Sequence, residues 1–236
     1  MKFLENSKLE AIGAALSDET GDCRLDIRIE SYSCKLVKSD KKVLTGLMGH
    51  GHSPNDREPL SPPVLPGPFL FVSPKIRRVS GGSDTGDEGK EPVLCDSINR
   101  KMLFNLTALL NASFPDYDFS EAKGEHFSQI PDLETVVRLV DSHLCPVSEN
   151  YNQLKDQLWT LIDEEIQLKD CLFYSFNTSY DQDPFSEEGC IWSLNFFFYN
   201  LNLKRIAFFT CRASSGVGSS TTDMSSDEVL WDMDEA

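Results

Sequence analysis

The chain has 236 residues, with 22 Lys and Arg against 38 Asp and Glu, which gives a formal net charge of −16. So acidic a chain is a poor electrostatic match for phosphate backbones, which disfavours direct, general binding to nucleic acid. No segment approaches the roughly 18 uninterrupted apolar residues of a membrane-spanning helix, and Glu5 and Glu10 stand where a signal peptide is apolar. Seven cysteines without a Cys-x-x-Cys pair indicate reduced thiols, so we expect a cytosolic or nuclear chain that contacts no membrane.

The first 36 residues predict the first part of a globular domain. Residues 1–5 suit a short edge strand, and Ser7 to Glu10 fits a capping box at the start of a helix with Leu9, Ile12 and Leu16 on one face. Residues 23–30 then alternate apolar and charged side chains, which is typical of a half-buried strand.

Residues 37–92 predict a mobile, Pro/Ser-rich regulatory insertion. Eight of the twelve prolines lie there, and such a composition buries too little apolar surface to offset the entropy of ordering. The span from Lys35 to Ser80 carries eight basic and three acidic residues, a net of +5 in an otherwise acidic chain. Its apolar island, residues 69–72, is interpreted as a transient docking segment.

Residues 93–212 predict the second part of the same domain. Helical spacing marks one helix from Ile98, capped by Asp96 or Ser97, a second after Pro131, and a third over 151–168. A strand over 171–176 follows, then an aromatic-rich hairpin over 191–209 whose turn is Asn200-Leu201-Asn202. The hairpin is apolar on both faces, which favours a central strand covered on both sides. Residues 213–236, with six acidic and no basic residues, predict an acidic disordered tail.

These elements predict a single α/β (α+β) domain. We expect a mostly antiparallel sheet of about five strands, covered by helices and interrupted by the disordered insertion. The ordered part, roughly 150 to 160 residues, is large enough to bury a sound core.

The sequence offers weak candidates for chemistry. Asp163, Glu164 and Glu165 on a helix, or Asp181 and Asp183 in a loop, suit acid/base work or metal binding, but a run of acids is usually a solvated helix face. No zinc spacing, phosphate loop or nucleophile elbow occurs. The sequence therefore predicts a protein that is not an enzyme and has no metal or cofactor.

The insertion carries candidate regulatory residues. Ser53, Ser61 and Ser73 each precede a proline and suit proline-directed kinases, whereas Ser80 follows Arg-Arg-Val and suits a basophilic kinase. The neighbouring basic residues form a candidate nuclear import signal, consisting of Lys75, Arg77 and Arg78.

Three segments, in order, carry a resemblance to a known family. The first segment consists of residues 1–5, 20–22 and 28–35. The second is residues 115–120 (Pro-Asp-Tyr-Asp-Phe-Ser), and the third is the hairpin over 191–209. Together they resemble the three conserved boxes of the Maf-one family, which represses transcription by RNA polymerase III.

The resemblance implies a repressor that binds RNA polymerase III and blocks its assembly with initiation factor TFIIIB. It also implies control by protein kinases and phosphatases acting on the insertion, with shuttling between nucleus and cytoplasm. Candidate partner-binding residues are Asp116, Tyr117, Asp118, Lys204 and Arg205.

Other interpretations remain open at this point. Residues 115–120 also suit a plain helix stop, in which Asp side chains cap a turn while Tyr117 and Phe119 pack inward. A signalling adaptor or kinase-substrate scaffold with another partner is the alternative function, and a hydrolase using the acidic residues is a third.

Overall fold

The computed structural model describes residues 1–20, 23–35, 53–63, 96–177 and 183–215. Within these ranges it has nine strands: β1 (Lys2–Leu4), β2 (Asp18–Thr20), β3 (Cys23–Ser33), β4 (Arg57–Pro59), β5 (Ser97–Asn99), β6 (Phe127–Ile130), β7 (Cys171–Phe176), β8 (Cys190–Asn200) and β9 (Arg205–Ser215). The four α-helices are α1 (Ser7–Leu16), α2 (Arg100–Ser113), α3 (Leu133–Leu144) and α4 (Glu149–Ile166). None of these helices combines the length and apolar character needed to cross a membrane.

Seven strands form one antiparallel sheet in the order β1-β3-β9-β8-β7-β6, with β2 also paired to β3. The mixed α+β class, the single domain and the antiparallel sheet are therefore confirmed. The sheet exceeds the predicted five strands because β2 and β6 are only three and four residues long, too short for periodicity to reveal.

Hydrophobic layers cover both faces of the sheet, as the hairpin predicts. Phe196 and Phe198 face α1, α3 and α4, whereas Phe197 and Tyr199 face α2 and its flanking loops. Ile191 departs from the prediction and is 58% exposed, because the β8–β9 register shifts between Cys190 and Trp192.

Helix starts also differ in detail from the prediction. Asn6, rather than Ser7, caps α1 by accepting hydrogen bonds from the amides of Lys8 and Leu9. Asn99 caps α2, because Ile98 belongs to β5 and the helix starts two residues later than its apolar spacing indicates. In both cases the asparagine side chain accepts the otherwise unpaired amides of the first helical turn.

Part of the predicted insertion packs on the domain. Residues 53–63 include β4, which pairs with β5, and Leu60 is 3% exposed within the layer on the α2 face. The Ser61 amide donates to the Phe127 carbonyl at 2.9 Å. These eleven residues therefore form a strap across the domain, which the proline content alone does not predict.

The end of the domain also lies later than predicted. β9 continues to Ser215 and Ala213 is fully buried, so residues 213–215 belong to the sheet rather than to the acidic tail. The apolar island 69–72 and residues 216–236 lie outside the described residues.

Candidate functional site

A groove opens on the α2 face of the sheet, where β3 and β9 extend beyond the end of α2. It encloses about 250 Å³. Strands supply its floor and two loops supply its walls; its lining residues are Asp26, Arg28, Phe114, Tyr117, Pro184, Phe185, Glu187, Thr210 and Arg212. We refer to this feature as the Tyr117 groove.

One wall is held by a chain of polar contacts. The Tyr117 hydroxyl donates a hydrogen bond to the carboxylate of Glu187, and this bond raises the pKa of Tyr117. The same carboxylate lies 2.8 Å from Arg212, which also donates to the Pro184 carbonyl at 3.1 Å. The contacts join the loop after α2, the loop before β8 and strand β9.

Arg28 lies on the floor of the groove, at the side next to the end of α2. Its guanidinium lies 3.0 Å from the Glu30 carboxylate and 4.6 Å from the centroid of the Phe114 ring. It also donates to the Ser113 carbonyl at 3.4 Å, at the last residue of α2. Arg28 therefore spans from the sheet to the helix end and fixes the aromatic residue between them.

Asp26 gives the groove an unpaired negative charge. It stands opposite Arg212 in the β3–β9 register and is half-buried. Arg28 and Arg212 each pair with a glutamate, whereas the side-chain carboxylate of Asp26 has no hydrogen bond or ion pair within the described ranges. With both arginines neutralised by glutamates, the carboxylate of Asp26 is the remaining charge among the aromatic rings, an arrangement that suits the aliphatic stem and charged head of a basic side chain.

The predicted loop at 115–120 contains residues that stabilise the turn and residues that are exposed. Phe119 is fully buried. The pKa of Asp118 is lowered by hydrogen bonds from the Ser120 side chain and from the Ser120 backbone amide, the latter at 2.9 Å. Asp116 and Asp118 are exposed. The helix-stop interpretation thus accounts for Phe119 and Asp118, while Tyr117 lines the groove.

The structure places Lys204 and Arg205 away from that loop. Arg205 begins β9, and Arg212 lies seven residues further along the strand, at about 24 Å. Arg205 lies 3.2 Å from the Glu165 carboxylate, whereas Lys204 is exposed in the preceding turn with a φ of 54°. The five predicted partner-binding residues therefore occupy two separate regions.

The three sequence segments singled out above meet in this fold. Arg28 and Tyr117, from the first and second segments, line the groove, and Phe208, from the third, packs edge-on against Phe114 at 6.3 Å. The family model described as Maf1 regulator matches residues 25–210, which spans the greater part of the domain. The chain belongs to the Maf1 regulator family.

Its relatives agree with this assignment. The repressor of RNA polymerase III transcription maf1 of Schizosaccharomyces pombe is 32% identical over 210 residues, covering 89% of this chain and 82% of the relative. The repressor of RNA polymerase III transcription of Dictyostelium discoideum is 29% identical over 235 residues, covering 90% and 84%. A crystal structure of citrus MAF1 is 27% identical with a TM-score of 0.61, covering 88% of this chain and 99% of that chain.

Membership places the chain among regulators, and the acidic candidates for catalysis have structural contacts. Asp163 accepts from the Leu168 amide at 2.8 Å, Glu164 pairs with Lys8, and Glu165 pairs with Arg205. No grouping of three or more potential metal-ligating side chains occurs within the described ranges. Asp181 lies outside those ranges.

Two of the predicted phosphorylation residues are described. Ser53 is exposed, whereas the Ser61 hydroxyl donates to the Glu125 carbonyl at 2.5 Å. The other candidates in the insertion lie outside the described residues; they are Ser73, Ser80, Lys75, Arg77 and Arg78.

Sequence reasoning missed Glu187 and Arg212 as groove residues. Both are ordinary charges in the sequence, one in a loop and one at the end of a strand. Their pairing across 25 residues depends on how the loop before β8 folds over β9. The alternation of β9, which places Thr210 and Arg212 on one face, was the available signal.

Proposed function

We propose that this chain represses RNA polymerase III transcription by binding the polymerase through the Tyr117 groove and the exposed carboxylates beside it. The relatives named as repressors of RNA polymerase III transcription support the activity. The observation that carries the proposed site is the unpaired Asp26 in a groove with two aromatic walls. In this proposal a basic side chain of the polymerase enters the groove.

The charge distribution supports the choice of a protein surface rather than nucleic acid. With a net charge of −16, the chain is repelled by phosphate backbones and attracted to the basic surfaces of proteins that handle them. Asp116 and Asp118 extend the negative potential from the groove onto the exposed loop. Repression then results because the bound polymerase no longer assembles with TFIIIB at promoters.

Phosphorylation of the insertion is the proposed control. Each phosphate adds about −1.5 to −2 charges, so four phosphates add about −6 to −8. The span from Lys35 to Ser80 carries a net charge of +5, so its sign reverses. A basic insertion is attracted to the acidic body and a phosphorylated one is repelled. In this proposal the phosphorylated state of the insertion is the one that binds the polymerase more weakly and favours the cytoplasm over the nucleus.

A promoter-dependent RNA polymerase III transcription assay with the purified chain tests the activity. We expect dose-dependent repression by the wild-type chain, weakened by phosphorylation. No repression and no capture of the polymerase would contradict the function and favour an adaptor with another partner. Repression that phosphorylation leaves unchanged would retain the repressor and remove the charge-reversal control.

A matched pair of variants tests the groove. Asp26→Asn removes the unpaired charge without changing side-chain size, whereas Glu121→Gln removes an exposed charge from the neighbouring loop, outside the groove lining. We expect polymerase capture to weaken several-fold for Asp26→Asn and to stay unchanged for Glu121→Gln. Equal effects would indicate only general electrostatic attraction.

A further inference from the structure

Four exposed lysines lie at the end of the sheet that carries the β8–β9 turn. They are Lys2, Lys35, Lys101 and Lys204, and none of them has an ion pair within the described ranges. By contrast, Lys8, Lys123 and Arg205 each pair with a glutamate. We name the four residues the lysine end.

The backbone brings three of these lysines together. Lys2 pairs with Ser33 in the β1–β3 register, and Lys35 follows two residues after Ser33. The Cys34 amide donates to the Lys204 carbonyl at 2.9 Å, which joins the end of β3 to the β8–β9 turn. Three chain segments therefore present a lysine around Cys34.

Lys101 approaches the same point from α2. One turn further along α2, Asn105 donates to the Tyr199 hydroxyl at 2.7 Å, which ties this part of the helix to the sheet. Burial raises the pKa of the Cys34 thiol to about 12, and the nearby charge of Lys101 opposes that rise. Because Tyr199 also hydrogen-bonds to the Cys34 side chain, the first turn of α2, which carries Lys101, lies beside Cys34.

Exposed apolar surface accompanies the lysines. Phe3 is 42% exposed, with its ring 5.4 Å from that of Tyr32, and Leu201 is 50% exposed in the β8–β9 turn. Acidic residues border this end on the α4 side, where Glu5, Glu164 and Glu165 line a cleft. Glu164 pairs with Lys8 and Glu165 with Arg205, so these two carboxylates leave the four lysines unpaired. The lysine end thus combines positive charge with apolar contacts.

The segment after the described part has the complementary chemistry. Residues 216–236 contain six acidic and no basic residues. The acidic residues flank an apolar run, Val229-Leu230-Trp231, which is followed by Met233. A segment of this composition offers both carboxylates for lysines and apolar side chains for Phe3 and Leu201.

Residues 216–236 are long enough to reach the lysine end from Ser215. Ser215 ends β9 and pairs with Cys23 at the opposite end of the sheet, about 34 Å along the strand from Arg205. An extended chain spans up to about 3.5 Å per residue, so residues 216–236 extend up to about 70 Å. Positions from Asp227 onward therefore reach the lysine end from Ser215.

We infer that the acidic tail, residues 216–236, docks in cis on the lysine end, with carboxylates on the lysines and Val229-Leu230-Trp231 against Phe3 and Leu201. The docked tail covers positive charge that would otherwise attract an acidic partner. An acidic partner segment has to displace the tail first. This contact lies outside the Tyr117 groove and does not depend on the proposed repressor function.

Zero-length carbodiimide cross-linking of the full chain, followed by mass spectrometry, tests the inference. We expect amide cross-links from carboxylates in 223–235 to Lys2, Lys35, Lys101 and Lys204, at several times the yield at Lys123. The exposed Lys123, on the strap side of the domain, is the matched control. The cross-links should fade at about 0.5 M NaCl, where screening shortens the range of these attractions.

A tail variant separates docking from folding effects. Asp227→Lys, Glu228→Lys and Asp232→Lys together leave the described domain untouched and should reduce by several-fold the cross-links from the tail's remaining carboxylates. Equal yields at Lys123, or yields unchanged by the variant, would overturn the inference. Cross-links that appear only between molecules, rising with protein concentration, would also overturn it and assign the tail to a second copy.

Discussion

The carboxylate of Glu165 lies 3.2 Å from the guanidinium of Arg205 and joins three regions of the domain. It also accepts hydrogen bonds from the Ser31 hydroxyl at 2.7 Å and from the side-chain amide (Nδ2) of Asn6 at 2.9 Å. The carboxylate thereby links α4 to strand β3, to the start of β9 and to the cap of α1. One half-buried acid therefore organises the end of the sheet that holds the lysine end.

We expect Glu165→Gln to destabilise the domain by about 1–3 kcal/mol, because it weakens a charge-assisted network that is only 14% exposed on the glutamate side. The measurement is the free energy of unfolding from urea denaturation. Glu164→Gln is the control: its pair with Lys8 is exposed on both sides and contributes about 0–1 kcal/mol. Equal losses for the two variants would show that Glu165 has no special structural role.

This pair also shows what the sequence can and cannot predict. Arg205 is recognisable as a charged residue at a strand start, and the strand itself is evident from its aromatic run. Its partner lies 40 residues away on α4, within an acidic run that resembles a solvated helix face. Periodicity locates elements, whereas the register between distant elements depends on packing that no local pattern records.

The Tyr117 groove likewise contains some residues that the sequence identifies and others that it does not. Tyr117 is identifiable from its segment, and β3 from its alternation. Glu187 and Arg212 were missed because their contact depends on an irregular loop closing over β9. The strap at 53–63 was missed for a related reason. Its prolines indicate a mobile segment, but Leu60 is buried in the core.

Tyr117→Phe removes the hydroxyl that donates to Glu187 and retains the ring in the groove. We expect less than about 1 kcal/mol of lost stability, since the bond is exposed, but several-fold weaker capture of the polymerase. The measurements are thermal unfolding and a binding titration with purified polymerase. Unchanged binding with unchanged stability would remove Tyr117 from the proposed interface.

Phosphorylation of Ser61 should loosen the strap. A phosphate on Ser61 removes the hydroxyl that donates to the Glu125 carbonyl at 2.5 Å, and it adds negative charge near Glu58 and Glu125. We expect hydrogen exchange of the Leu60 and Ser61 amides to speed up at least ten-fold. Native-state exchange followed by mass spectrometry or NMR measures this.

Ser53 provides the matched control for the strap. Its hydroxyl is exposed and accepts from the Asn55 amide at 3.3 Å, so phosphorylation there leaves the contacts of Ser61 in place. The amides of Leu60 and Ser61 should then exchange as in the unmodified chain. Equal acceleration from either phosphate would point to a general charge effect instead of the loss of one hydrogen bond.

Asp183 should make stability depend on pH in an unusual direction. It is 2% exposed, and burial raises the pKa of its carboxyl even though the amides of Phe185 and Ser186 donate to it. The native state therefore binds more protons than the unfolded state between the ordinary pKa of Asp, about 3.9, and the raised native value. In that interval this carboxyl makes a contribution to stability that falls as pH rises, and the loss is complete above the native pKa.

Asp183→Asn removes this titration while keeping an oxygen for the two amides. We expect the difference in unfolding free energy, variant minus wild type, to become more positive as pH rises from about 4 to 7. Denaturant unfolding of both chains at several pH values measures this difference. Every other titrating group is common to the two chains, so the difference reports Asp183 alone. A difference that stays flat with pH would show that this carboxyl titrates alike in the native and unfolded states. A difference that falls with pH would reverse the direction assigned to its pKa.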